Sequence, residues 1–221
     1  MSGPRRLPLF PLPGVVFLPE TTLPLHVFEP RYRAMLADAL AGEKLIGVQL
    51  LAPDEAPDPA GRPAVHPVGC AGEIVEHEPL PDGRSNIVLK GLFRYRIDRE
   101  APAGKPYRIA EVTALPVAPL PDAPDAPAAA RRIRLVTDVG RLADAVGRPQ
   151  AKELPDGLSE EGLVNEILLR LGIDAEDGYR LLAMDRLEER YAWAEQLVTS
   201  MTRRIELLAP YRPPGPAPRW N

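Results

Sequence analysis

The chain has 221 residues, room for one domain or one domain with a smaller companion, and for a proper buried core. A hydrophobic content of 45% with 26% charged residues is that of an ordinary globular protein. The net charge of −4 lacks the basic footprint of a general nucleic-acid or anionic-membrane binder, and the single cysteine, Cys70, allows no intrachain disulfide.

Arg5 and Arg6 precede an apolar run, but prolines at 8, 11 and 13 interrupt it and no small-residue cleavage pattern follows, so a signal peptide is not expected. No stretch reaches the roughly 20 unbroken apolar residues of a membrane span, and a cytoplasmic location is expected. Leu7 to Leu40 is apolar yet carries prolines at 8, 11, 13, 19, 24 and 30, which excludes one long helix. It reads instead as short extended pieces, Leu7–Leu12, Val15–Leu18 and Leu23–Phe28, around turns such as Pro13-Gly14. Pro30 suits a first helical position, and Tyr32, Met35, Leu36, Ala39 and Leu40 repeat with helical spacing up to a stop at Gly42.

Leu45–Leu51 reads as a buried strand and Ala52–Pro63 as a surface loop. A strand around Cys70–Glu78 is joined by the hairpin signal Asp82-Gly83 to Ser85–Leu89 and then, through Gly91, to Leu92–Asp98. Phe93, Tyr95 and Ile97 share one face of that strand, and Arg94, Arg96 and Asp98 the other. Tyr107–Val117 is the last strand. Pro116–Ala130 is rich in proline, alanine and aspartate and reads as a semi-stiff connector. Helices follow over Arg131–Val146, from Ser159 to Gly172, over Asp174–Met184 with Asp174 as cap, and over Arg186–Leu208. Many short strands with Gly and Pro turns favour a closed or nearly closed barrel. The expected division is a β part over 1–118, a linker over 119–130, a helical subdomain over 131–208 and a proline-rich tail over 209–221.

The opening run LPLFPLPGVVFLP and its continuation LPLHVFEPRYRAML resemble the start of the Lon protease amino-terminal domain, in particular the stand-alone Lon substrate-binding domain proteins. His26, Phe28, Glu29, Arg31, Tyr32 and Arg33 stand in the order of that family. Gly69-Cys70 and the run from Asp82 to Arg96 match its internal signature, and the likeness covers residues 7 to 206, loosely from 119 to 158. The resemblance implies an α+β chain: a PUA-like β pseudobarrel with an inserted helix, followed by a C-terminal helical bundle. It also implies a non-catalytic substrate-recognition or adaptor role, with unfolded polypeptide or a partner protein as ligand and no cofactor. Lon proteases couple this domain to an ATPase and a Ser–Lys peptidase. Neither a G-x-x-x-x-G-K-[ST] loop nor a G-x-S-x-G elbow occurs here, and 221 residues leave no room for those modules.

Candidate chemistry is sparse. His66, Cys70 and His77 lack a fourth metal ligand, and His26 has no nucleophile or carboxylate pair in sequence register. Arg84, Lys90, Arg94, Arg96 and Arg108 could line a phosphate track for RNA or a nucleotide, but no aromatic set interleaves with them. Glu73, Glu76, Glu78, Asp98 and Glu111 could instead pair with them across the sheet. Strand alternation cannot bury every side chain of Val15–Leu18 on one face, and an apolar patch left outside is how a module takes up unfolded chain. The candidate polypeptide contacts are therefore Val15, Phe17, Leu18, Phe28, Tyr32 and Met35. Glu29, Arg31 and Arg33 are candidate polar contacts, with a structural ion-pair role as the alternative.

Overall fold

A computed structural model of the chain describes residues 5–52, 62–102, 104–118, 120, 128–145, 153–155 and 157–208. Most of the 52–63 loop and of the 119–130 connector, part of the 149–157 loop, and the 209–221 tail lie outside the described residues. The chain is α+β. Its strands are β1 (Arg5–Leu12), β2 (Thr22–Val27), β3 (Leu45–Leu50), β4 (Val68–Pro79), β5 (Ser85–Ala101) and β6 (Arg108–Leu115). The helices are α1 (Pro30–Ala41), α2 (Ala128–Ala145), α3 (Glu160–Leu171), α4 (Ala175–Ala183) and α5 (Leu187–Leu208). None of the described helices is long and apolar enough to cross a membrane.

The six strands form one sheet whose pairings close into a ring. β1 runs parallel to β3 (Leu9 opposite Gly47) and antiparallel to β6 (Leu9 opposite Arg108). β3 pairs with β4, β4 with β5, and the far half of β5 returns to β6. β2 stands outside the ring, paired with the first half of β5. One strand serves both neighbours because β5 is 17 residues long: Ser85 to Lys90 pair with β2 and Arg94 to Ala101 with β6. Leu7, Leu9, Ala71, Tyr95, Ala110 and Val112 meet in a buried cluster of their own.

One expectation about the opening stretch changes. Val15–Leu18 is no strand: residues 13–21 form an irregular loop that Glu20 turns with φ +64°. α1 begins at Pro30 and stops at Gly42 as expected, with the Gly42 N–H donating to the Ala39 carbonyl, and the left-handed residue beyond the cap is Lys44 (φ +58°). The helical caps follow the chemistry of their residues. Ser159 accepts from the Gly162 N–H, Asp174 from the Asp177 N–H, and Gly172 ends α3 in the left-handed region.

The 13–21 loop joins the sheet to the helices. Phe17 and Leu18 are buried in one continuous cluster with α1, the sheet and α2–α5. Asn165 on α3 donates to the Pro19 carbonyl at 3.0 Å, and the Glu20 carboxylate accepts from the Ser159 N–H at 3.2 Å and from its hydroxyl. Arg94 completes the joint from the other side. Its guanidinium is fully buried and donates to the carbonyls of Leu182 (2.8 Å) and Pro116 (3.1 Å) and to Asp185 (3.2 Å).

Candidate functional site

A concavity of about 580 Å³ opens between the end of β1, the end of β2 and the start of α1. Phe10, Leu12, Leu25 and Tyr32 form its apolar wall, and Phe28 stands beside it with 58% of its surface exposed. The turn from β2 into α1 explains this arrangement. Pro30 has no N–H to give and starts the helix, and Glu29, extended at the N-cap, makes no side-chain cap bond. The two residues before the helix thus face outward, while Tyr32, one turn on, drops against Phe10 with ring centres 4.3 Å apart.

Charges ring the mouth, and each is already partnered. Arg31 binds Glu29 at 2.8 Å and lies 4.5 Å over the Tyr32 ring. Arg62 binds Glu100 at 3.1 Å; Arg108 binds the same carboxylate and the Pro63 carbonyl. Asp38 accepts from Lys105 at 2.9 Å and from the Tyr107 hydroxyl at 2.5 Å. The Tyr107 bond, then that of Lys105, holds the Asp38 carboxyl below the usual aspartate range, while burial and the Asp38 charge raise the Tyr107 phenol to about 12. Burial raises Tyr32 as well, so both phenols are neutral donors at physiological pH. Tyr107→Phe removes the largest of these effects. The Asp38 carboxyl, followed by its NMR titration, then moves back up toward the ordinary value, and an unmoved titration would assign the shift elsewhere.

Asp38 depression has a definite sign for stability. Because its folded pKa lies below the unfolded one, its contribution is present above the ordinary aspartate range and is lost as pH falls through the folded value.

The nine candidate contacts separate. Phe28, Glu29, Arg31 and Tyr32 meet at this cavity. Phe17, Leu18 and Met35 are core side chains, and Val15 lines a separate, shallower hollow against Leu169 and Ile173. Arg33 packs on the turn at Gly83, whose φ of +79° needs a glycine and whose missing side chain makes room for the guanidinium. Phe10, Leu25 and Tyr107 also line the cavity and were not among the candidate contacts, and Arg108, which lines it too, stood only in the phosphate track. Only the β1–β6 register, Leu9 opposite Arg108, carries that end of β6 to Phe10.

The other polar candidates disperse. His26 Nδ1 lies 2.8 Å from Asn86 Oδ1 and Nε2 3.4 Å from Arg84, which assigns the proton to Nδ1 and leaves an amide and a guanidinium as its hydrogen-bond partners. His66 stacks on Tyr179, His77 meets Ser85, and burial pushes the Cys70 thiol far up. Among the described residues no group of three or more His, Cys, Asp or Glu converges on a metal position. Of the supposed phosphate track, Arg84 pairs with Asp82, Arg96 lies 3.8 Å from Asp98, Arg108 pairs with Glu100, and Arg94 is buried.

The model of the substrate-binding domain of ATP-dependent protease La (LON) matches residues 6–200. The chain belongs to the Lon substrate-binding domain family. It is 31% identical over 109 residues to the Lon protease of Flavobacterium johnsoniae, covering 49% of this chain and 13% of that protein. To the Lon protease of Cytophaga hutchinsonii it is 22% identical over 206 residues, 92% of this chain and 25% of the relative. The chain thus spans a quarter or less of these curated relatives. The N-terminal domain of the Mycobacterium avium complex Lon protease superposes with a TM-score of 0.61 at 17% identity, covering 88% of this chain and 98% of that one. A Lon N-terminal domain protein from Xanthomonas campestris gives 0.52 at 30% identity, with the same coverage. In this Lon domain the LPLFPLPGVVFLP run is mostly scaffold: it supplies β1 and the loop that ties sheet to helices.

Proposed function

We propose that this Lon domain is a non-catalytic polypeptide-binding module that takes up unfolded chain at the cavity between β1, β2 and α1, built on a PUA-like pseudobarrel with a helical bundle behind it. The observation that carries the reading is the exposed Phe28 beside a largely apolar cavity, ringed by charges that are already paired. Such a seat gains free energy from an apolar side chain and demands no particular charged partner, as recognition of varied unfolded sequences requires. Family membership supports the same role, since the matching model is that of a substrate-binding domain.

The test is binding of a permanently unfolded probe, reduced and carboxymethylated α-lactalbumin, against the same protein native. The unfolded form binds and the native form does not. Phe28→Ala forfeits about 1 kcal/mol of apolar contact, half a full aromatic burial because the ring is already partly covered, and weakens binding about fivefold. Equal affinity for both forms of the probe, or an unchanged affinity in Phe28→Ala, defeats the assignment.

A further inference from the structure

We propose that β2 is the docking edge of this site: an unfolded segment adds to β2 as an extended strand, seating apolar side chains in the cavity and basic ones over Glu76 and Glu78. This rests on the polypeptide-binding reading above. Each of β1, β3, β4 and β6 is flanked by two strands, whereas β2 pairs with β5 alone. Among the described strands β2 alone has a single partner along its whole length, and its open side adjoins the cavity, which Leu25 and His26 line.

The backbone groups on that side follow from the ladder. The Gly91 N–H donates to the Thr21 carbonyl at 2.9 Å, so residues of that parity on β5 turn toward β2. Paired and unpaired residues alternate in an antiparallel ladder, so Leu23, Leu25 and Val27 bond to Leu89, Ile87 and Ser85. Pro79 on β4 also faces Ser85 and has no N–H to offer it, in keeping with Ser85 turning to β2. Thr22, Pro24 and His26 then direct their carbonyls, and the N–H groups of Thr22 and His26, to the open side. Pro24 falls at a place where the ladder uses no N–H. Among the described residues no hydrogen bond reaches these groups. An unpaired row of donors and acceptors is what an extended chain completes.

The two faces of such an added strand meet different chemistry. Side chains pointing with Leu25 enter the apolar cavity. Those pointing with Pro24 and His26 look over a shallow trough lined by Glu76 and Glu78 and, among the described residues, by no lysine or arginine. Arg84, near His26, is neutralised by Asp82 at 2.6 Å. Charge complementarity therefore selects alternating apolar and basic residues.

The experiment is fluorescence anisotropy with end-blocked peptides of about eight residues alternating valine or leucine with lysine. The same peptide is N-methylated at one position at a time, and a second version carries glutamate for lysine. Strand addition weakens binding about tenfold for N-methylation at every second residue and about twofold or less between them, and the glutamate peptide binds about tenfold more weakly. His26→Pro, which removes an outward N–H in the register of Pro24, binds about fivefold more weakly than His26→Ala, which shares its loss of the ring. The N-methyl series needs only the wild-type protein, so it decides the matter even if His26→Pro fails to fold. A flat N-methyl profile overturns strand addition while leaving the cavity reading intact, provided Phe28→Ala still weakens the peptide. Equal binding of the glutamate peptide overturns the charge selection, and no binding of any peptide overturns both readings.

Discussion

Arg94→Ala destabilises the protein by about 3 kcal/mol, seen as a lower urea midpoint with the same dependence on denaturant. Three losses add. The Leu182 carbonyl, buried with its residue, is left without a donor, which costs about 1–3 kcal/mol. A cavity opens where a long, fully buried side chain stood. The Asp185 bond contributes little, because that carboxylate is 73% exposed and water replaces the guanidinium. One gain offsets part of this: burial first, and then the charge of Arg94, hold the Arg190 guanidinium below the usual arginine range, so removing Arg94 eases Arg190 in its contact with Glu161. Arg94→Met, which refills most of the volume without the donors, recovers the cavity share alone and falls between the two. If Arg94→Ala unfolds at the wild-type urea concentration, the joint between sheet and helices does not depend on this residue.

Gly91→Ala costs about 3 kcal/mol or more, and its damage spreads to α3. A Cβ at this position would stand 2.2 Å from the Leu18 carbonyl oxygen and 3.1 Å from the Pro19 Cα, both backbone atoms that no rotamer change can move aside. The Glu20 N–H to Gly91 carbonyl bond and the Gly91 N–H to Thr21 carbonyl bond, each 2.9 Å, hold this loop against β5. Pushing the loop outward also withdraws Pro19 from Asn165 and Glu20 from Ser159. Hydrogen exchange reads the spread: amides of α3 around Leu163 and Asn165 lose protection along with those of β2 and β5. An alanine variant with wild-type exchange in α3 shows that loop and helix are energetically separate.

Arg94 and Gly91 show where reading along the chain stops. Arg94 sits in an alternating strand with Arg96 and Asp98, a pattern that equally describes a solvated face, and only α4 and the turn into α5 cover it. Gly91 reads as a break between two strands, yet β5 runs through it unbroken. The absent side chain serves close approach by the 18–21 loop rather than a turn. Phe17 and Leu18 looked available for binding because no strand face holds them with Val15 and Val16. The loop buries both and needs no strand.

Among the site residues, Phe28, Glu29, Arg31 and Tyr32 were legible together because they are neighbours along one turn, and sequence proximity alone places them at one spot. Their counterparts Phe10, Leu25, Tyr107 and Arg108 come from three strands and the loop before β6, and nothing local relates them.

By itself the amino-acid order determined most of the run of strands and helices, the start of α1 at Pro30, the hairpin at Asp82-Gly83, and the caps at Ser159, Asp174 and Gly172. These depend on backbone angles, missing N–H groups and apolar spacing, all set within a few residues. The tertiary structure alone decided that β5 pairs back to β6, that β2 is left with one neighbour, that Arg94 is buried, and that a cavity opens beside Phe28. Those outcomes join residues as far apart as Leu9 and Arg108, or Arg94 and Leu182, and their free energy exists only once the intervening chain is in place.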